Sequence, residues 1–172
     1  MTKYTHTADD SWEWLRADLN DVTEMINLSN THFKEEFENI IFTNNPTRFA
    51  YHLHTAIIDQ TYETGTNFIA TARDKSTGQM VSWYWCSKEF SPWSDDAILG
   101  VRIAHVDQTL SVRIRTMIIA QQIEQWISLA TLHDMPVVCS TSIRPIQGGF
   151  LRLHEHYGFI VRGSYAYKRI AL

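Results

Sequence analysis

Only two of the 172 residues are cysteine, Cys86 and Cys139. That argues against a disulfide-stapled scaffold and leaves too few soft ligands for a cysteine-built metal site, so no metal is expected. Both fall in segments that read as strands, where a buried free thiol behaves as a small apolar side chain. The chain also lacks any uncharged apolar run near the ~20 residues that span a bilayer. Met1 to Asp10 is polar, without the apolar core of a secretory signal, and the expected location is therefore soluble and cytoplasmic. Excess positive charge is missing as well: 15 Lys and Arg stand against 19 Asp and Glu, a net charge of −4. Nothing in that balance attracts a phosphate backbone or an anionic lipid surface, so neither nucleic acid nor membrane is an expected partner. Without repeats, low-complexity tracts or linker-like stretches, the chain reads as a single domain over 1–172, with residues 1–10 as a mobile tail. Glycine is scarce too, at seven residues, and none falls in the turn Leu110 to Thr116.

What is present is a core-forming composition, 44% hydrophobic and 20% charged, enough for one globular domain. Trp12 to Arg16 predicts a short first strand with Trp12 and Trp14 on one face. Asp18 or Asn20 caps a helix carrying Val22, Met25, Ile26 and Leu28, and a second helical region runs from Phe33 to Ile41. Asn44-Asn45-Pro46 interrupts it. Pro46 suits the first turn of the next helix, whose stripe is Phe49, Leu53, Ile57 and Ile58 and which Gly65 ends. Phe68 to Arg73, the turn Asp74 to Gly78, and Met80 to Cys86 alternate with period two and predict a hairpin. Ala97 to Val106 predicts a further strand. Ile119, Ile123, Trp126, Ile127 and Ala130 then mark a long amphipathic helix closed by His133-Asp134. Met135 to Ser140 reads as a buried strand, Gly149 to Tyr157 as a short helix, and Phe159 to Ile170 as a final pair of strand segments. This order predicts a mixed α/β fold, a mostly antiparallel central sheet with helices on both faces.

Several polar groupings invite chemistry and fail on spacing. His52/His54 and His154/His156 stand two apart on helices, which sends the rings to opposite sides and prevents chelation within either pair. Ser82, Ser140 and Ser142 have no glycine-framed elbow and no obvious acid–base companions, so no hydrolase triad is expected. Gly148-Gly149 is too short for a nucleotide fingerprint and is expected to free the backbone before the last helix. Trp83 and Trp85 share one strand face and Tyr84 takes the other, which suits core packing when both faces are covered. Phe90 and Trp93 fall in the following loop with Asp95 and Asp96, the expected recognition surface; Trp12 and Trp14 form a second candidate patch.

The most diagnostic run is Phe150-Leu-Arg-Leu-His-Glu-His-Tyr-Gly-Phe159, a late helix leading into Gly-Phe. Gly158 supplies a helix C-cap able to take positive φ, and Phe159 plugs the core as the next segment begins. With strand, long helix, strand and short helix in that order, the chain resembles the Gcn5-related N-acetyltransferase (GNAT) family from Trp12 to its end, most specifically in its second half.

The resemblance implies an acyl-CoA-binding fold. In that family a strand ending in Val is followed by Gln/Arg-x-x-Gly-x-Gly/Ala, whose glycines unmask backbone amides that cup the CoA pyrophosphate at a helix N-terminus. Here the strand ends at Val106 and the motif falls on Leu110-Ser-Val-Arg-Ile-Arg115, so Leu110 replaces the basic position, and Arg113 and Arg115 replace the glycines. If acetyl-CoA is held at all, Val106, Arg113, Arg115 and Thr116 are the positions to hold it, with the guanidinium groups on phosphate. The competing reading is a solvated or partner-facing basic patch, since residues two apart on a helix diverge. By resemblance His154 takes the place of the Tyr that protonates the departing thiolate, against the plainer reading of a surface or cap residue. His105 is the candidate base, because Ala97 to Val106 offers no carboxylate.

Two functions follow from these expectations. The first is a GNAT-fold protein with a degenerate acetyl-CoA site and no cofactor. It would serve as a non-catalytic binding or assembly component with a protein partner or as a homo-oligomer. By analogy with small acetyltransferase-like phage proteins, it would be a virion structural protein located within the particle. The second is a divergent active N-acetyltransferase that moves an acetyl group from acetyl-CoA directly to an amine.

Overall fold

The computed structural model describes residues 11–36, 42–62, 65–142 and 147–163. In chain order the elements are β1 (Trp12–Arg16), α1 (Val22–Glu36), α2 (Pro46–Thr61), β2 (Asn67–Asp74), β3 (Met80–Phe90), β4 (Ala97–Val106), α3 (Val112–Leu132), β5 (Val137–Ser140) and α4 (Gly148–His156). Among the described residues five strands lie side by side in sequence order. All neighbours are antiparallel except β4 and β5, which run parallel because α3 carries the chain back between them. The architecture is mixed α/β with a mostly antiparallel sheet, as the alternation of periods predicts.

Local chemistry sets the boundaries. Asp18 accepts from the Asn20 amide at 2.7 Å while the Asp21 carboxylate accepts from the Asp18 amide at 2.9 Å, a reciprocal cap that opens the turn into α1. Asn45 accepts from the Arg48 amide at 3.0 Å with Pro46 at the first helical position, so α2 starts where expected. Asp74 Oδ1 accepts from the amides of Ser76 and Thr77 at 2.8 and 2.9 Å and closes the β2–β3 hairpin.

Several boundaries differ from the sequence expectation. β3 continues past Cys86, so Phe90, expected in the loop beyond, ends the strand. β5 begins at Val137, not Met135, and its residues are exposed or half-buried because it lies at the sheet edge among the described residues. α1 runs unbroken to Glu36, so Phe33 belongs to the first helix; 37–41 lie outside the described residues. α2 ends at Thr61, and Gly65, with φ +67°, sits in the approach to β2 instead of closing the helix. Gly148 and Gly149 open α4 without positive φ, so helical turns, not special backbone geometry, occupy that pair. Phe159 to Gly163 carries no regular structure; the rest of the expected final strands and the tail 1–10 lie outside the described residues. Among the described residues no helix is long and apolar enough to cross a membrane.

β3 divides the core. Trp83 and Trp85 pack with Met25, Leu53 and Ile57 of α1 and α2, whereas Tyr84 and Cys86 pack with Ile123 and Trp126 of α3. Both sheet faces are covered, which is why three consecutive aromatic residues can stay inside. Cys86 is fully buried, and that burial raises its thiol pKa; Cys139, expected to be buried, is exposed on β5.

Trp12 and Trp14 do not form a surface patch. Trp12 is 8% exposed, and the two indole N–H groups donate at 2.6 and 2.8 Å to one acceptor, Gln121 Oε1 of α3. One amide oxygen thus ties the edge strand to the longest helix. Gln121→Leu is expected to leave both donors unmet and lower unfolding free energy by about 1–3 kcal/mol. Urea denaturation checks this, and a change within error contradicts it.

Candidate functional site

The site begins where the sheet opens. β4 and β5 pair from Ile98↔Val137 to Val101↔Ser140, and β4 then continues to Val106 along β3. At that point β4 carries a bulge: Val101 faces Cys86 and Ile103 faces Trp85, leaving Arg102 as the extra residue. The bulge changes the alternation, so Val101 packs on the α3 side and Ile103 on the α1/α2 side. The result is a fork between two parallel strands, with different chemistry on its two faces.

On the α1/α2 side, Gly100 lies between Ser87 of β3 and Cys139 of β5. Glu89 lays its carboxyl over Gly100, close enough that a Cβ there would come within 2.5 Å of Glu89 Cδ. Ser87 Oγ donates to Glu89 Oε1 at 2.9 Å and accepts from Arg102 Nε at 2.6 Å. The Arg102 guanidinium stands 3.4 Å from the same carboxylate and covers the Trp85 ring. Partial desolvation by the packed fork, with the Glu89 charge second, raises the Cys139 thiol pKa although the residue reaches the surface. A carboxylate at the fork was not expected, because β4 itself has none. The available signal was Gly100, a glycine in mid-strand, which often marks close approach by another group.

On the α3 side stands His154. It is 3% exposed, walled by Phe150 and Phe159 with ring centroids at 4.1 and 4.9 Å, and bonded at both nitrogens. Nδ1 lies 2.9 Å from the Phe150 carbonyl and Nε2 lies 3.0 Å from Ser140 Oγ. A carbonyl only accepts, so Nδ1 carries the proton, and Nε2 accepts from the Ser140 hydroxyl. Burial lowers the imidazole pKa against a smaller opposing effect of the Phe150 carbonyl. Neither a surface residue nor a cap, His154 is a neutral imidazole wedged between α4 and β5. The expectation that Ser140 lacks an acid–base companion is corrected by the same contact.

His105 is 5% exposed and pairs with Trp83, which packs against α1 and α2. Directly opposed residues share a face, so His105 and His154 stand on opposite sides of the sheet.

The remaining named positions surround the β4–α3 turn. Val106 is buried among Trp12, Val81 and Ile118, and its carbonyl accepts from Gln108 Nε2 at 2.6 Å. Gln108 Oε1 accepts in turn from Arg115 Nη1 at 2.7 Å. Arg115 Nε is buried without a hydrogen-bond partner. Arg113 is exposed, and Thr116 returns its hydroxyl to the Val112 carbonyl at 2.8 Å. α3 is helical from Val112, with Ser111 as N-cap, so Arg113 and Arg115 project in different directions. Val106, Gln108 and Arg115 are brought together; Arg113 and Thr116 are not joined to them. At the end of β3, Phe90 and Trp93 are 66% and 91% exposed beside exposed Asp95 and Asp96. Among the described residues no group of three His, Cys, Asp or Glu side chains is placed to hold a metal ion.

The sequence matches no protein-family model and no curated protein. Solved structures match it across nearly its whole length. A predicted acetyltransferase with acetyl-CoA from Clostridium acetobutylicum superposes with a TM-score of 0.69 at 9% identity, over 92% of this chain and 96% of that one. Glucosamine-6-phosphate N-acetyltransferase from Arabidopsis thaliana gives 0.66 at 10% identity, over 94% and 100%. Ribosomal-protein-alanine N-acetyltransferase from Brucella melitensis gives 0.63 at 13% identity, over 93% and 99%. The chain has the GNAT acetyltransferase fold. Identities this low establish the fold and leave the activity to the site itself.

The state of His154 has a measurable consequence. Because its folded pKa lies below its unfolded value, the unfolded chain takes up the proton first as pH falls. The stabilisation carried by the neutral ring is therefore complete above about pH 6.5 and is lost as pH drops through the folded value, at up to about 1.4 kcal/mol per pH unit. His154→Gln is expected to flatten the pH dependence of urea unfolding below about pH 6.5. An unchanged slope would contradict the assignment.

Proposed function

We propose that this GNAT-fold chain works by binding and not by transferring acetyl groups from acetyl-CoA. The observation that carries the reading is the β4–α3 turn, where Gln108 spans the Val106 carbonyl and the Arg115 guanidinium. The GNAT resemblance places a backbone-lined pyrophosphate cradle there; in this chain side chains occupy the turn and no glycine opens it. Arg113 lies near the positive end of the α3 dipole, where a cation is unfavourable without an anionic neighbour. His154 adds to the reading, since a buried neutral ring bonded at both nitrogens has no proton facing the fork to give a departing thiolate. The partner in this reading is a protein or a second copy of the chain, met at Phe90, Trp93, Asp95 and Asp96. An assembly such as a phage particle is the setting that the resemblance suggests.

Two observations favour a second reading, a divergent N-acetyltransferase. Glu89 holds a carboxylate over Gly100, one residue from the fork, where it can accept a proton from an amine. Arg115 Nε is a buried donor left for an anion. Thermal unfolding with acetyl-CoA separates the readings. Filled at 100 times its Kd, an acetyl-CoA site adds about 2.7 kcal/mol of stability. The binding reading predicts no shift across the titration, and a saturable rise in melting temperature would overturn it.

A further inference from the structure

The contact between Ser140 and His154 has the geometry of an activated nucleophile. Ser140 ends the paired part of β5 and is half-buried at the root of the fork. Its Oγ lies 3.0 Å from His154 Nε2, within the range over which a base takes a proton from a hydroxyl. The base is itself oriented: the Phe150 carbonyl, 2.9 Å from Nδ1, fixes the tautomer that turns the Nε2 lone pair toward the serine. Phe150, Phe159 and Trp126 wall the ring, so it cannot turn away. Nucleophile, base and orienting acceptor are thus contributed by β5 and α4, with a backbone carbonyl where a carboxylate often stands.

We propose that Ser140 is a reactive serine that takes the acyl group of small activated esters and thioesters, with His154 as its base. Ser140 Oγ bonds to the acyl carbon and passes its proton to His154 Nε2. The Phe150 carbonyl holds the resulting imidazolium through Nδ1–H. Collapse of the tetrahedral adduct breaks the bond to the leaving oxygen or sulfur, which departs with the proton from Nε2, and O-acyl-Ser140 remains. Water then attacks the ester, gives its proton to Nε2, and the acid leaves as Ser140 Oγ recovers that proton. This chemistry needs neither the α3 turn nor CoA binding, so it stands or falls apart from the acetyl-CoA titration.

The probe is a fluorophosphonate, with which Ser140 Oγ forms a bond to phosphorus and expels fluoride. The full chain is incubated with it, digested and mapped by mass spectrometry. The expected adduct sits on Ser140, is absent from Ser140→Ala, and falls roughly 100-fold in His154→Gln, the usual scale of general-base assistance. Circular dichroism establishes that the variants are folded. If His154→Gln does not fold, labelling of Ser140 relative to Ser142 in the unaltered chain decides. No adduct on Ser140, or equal labelling of Ser140 and Ser142, would overturn the proposal.

Discussion

One parting of strands organises this molecule: β5 follows β4 only from Val137 to Ser140, and among the described residues β4 continues without a neighbour on that side from Arg102 to Val106. The bulge at Arg102 accompanies the parting and reassigns faces, so β4 serves the α3 core through Leu99 and Val101 and the α1/α2 core through Ile103. On the α3 side the opening is closed by α4, whose His154 bonds Ser140 and packs against Trp126. A buried imidazole is tolerable because both nitrogens are engaged; an orphaned one would cost about 1–3 kcal/mol. Glu89 and Arg102 occupy the other face as a half-exposed ion pair, worth little to stability but placing charge at the fork.

A shared fold does not by itself decide a shared activity. A GNAT frame supplies a fork and a helix start; chemistry depends on which atoms remain available there. At the start of α3 Gln108 bridges the Val106 carbonyl and the Arg115 guanidinium, and Arg113 is exposed. At the fork the Nε2 of His154 faces the Ser140 hydroxyl.

Much of the frame was readable from sequence. Period-two alternation located the β2–β3 hairpin and β4 from Ala97 to Val106, and the alternate packing of Trp83, Tyr84 and Trp85 followed from a sheet covered on both sides. Gly158, at φ +84°, takes the left-handed geometry that the end of α4 required. What escaped was set by register. Trp12 and Trp14 look like a patch until Gln121, more than a hundred residues away, accepts from both. Glu89 reaches Gly100 only because β3 and β4 pair with a bulge, and spacing along the chain does not encode that meeting. Ser140 and His154 are 14 residues apart on different elements, so no local motif announces them. The burial of His154 was only half visible: Phe150, one turn back on α4, packs on its ring, but the rest of the aromatic wall comes from α3 and from Phe159 beyond the helix.

The protonation and orientation of the His154 ring underlie both the proposed lack of a leaving-group acid and the proposed activation of Ser140, and nitrogen-15 NMR of that imidazole observes both. The predicted spectrum at neutral pH is a neutral ring with its proton on Nδ1 and an unprotonated Nε2. An imidazolium at neutral pH, or a neutral ring protonated on Nε2, would contradict both the loss of a leaving-group acid and the activation of Ser140.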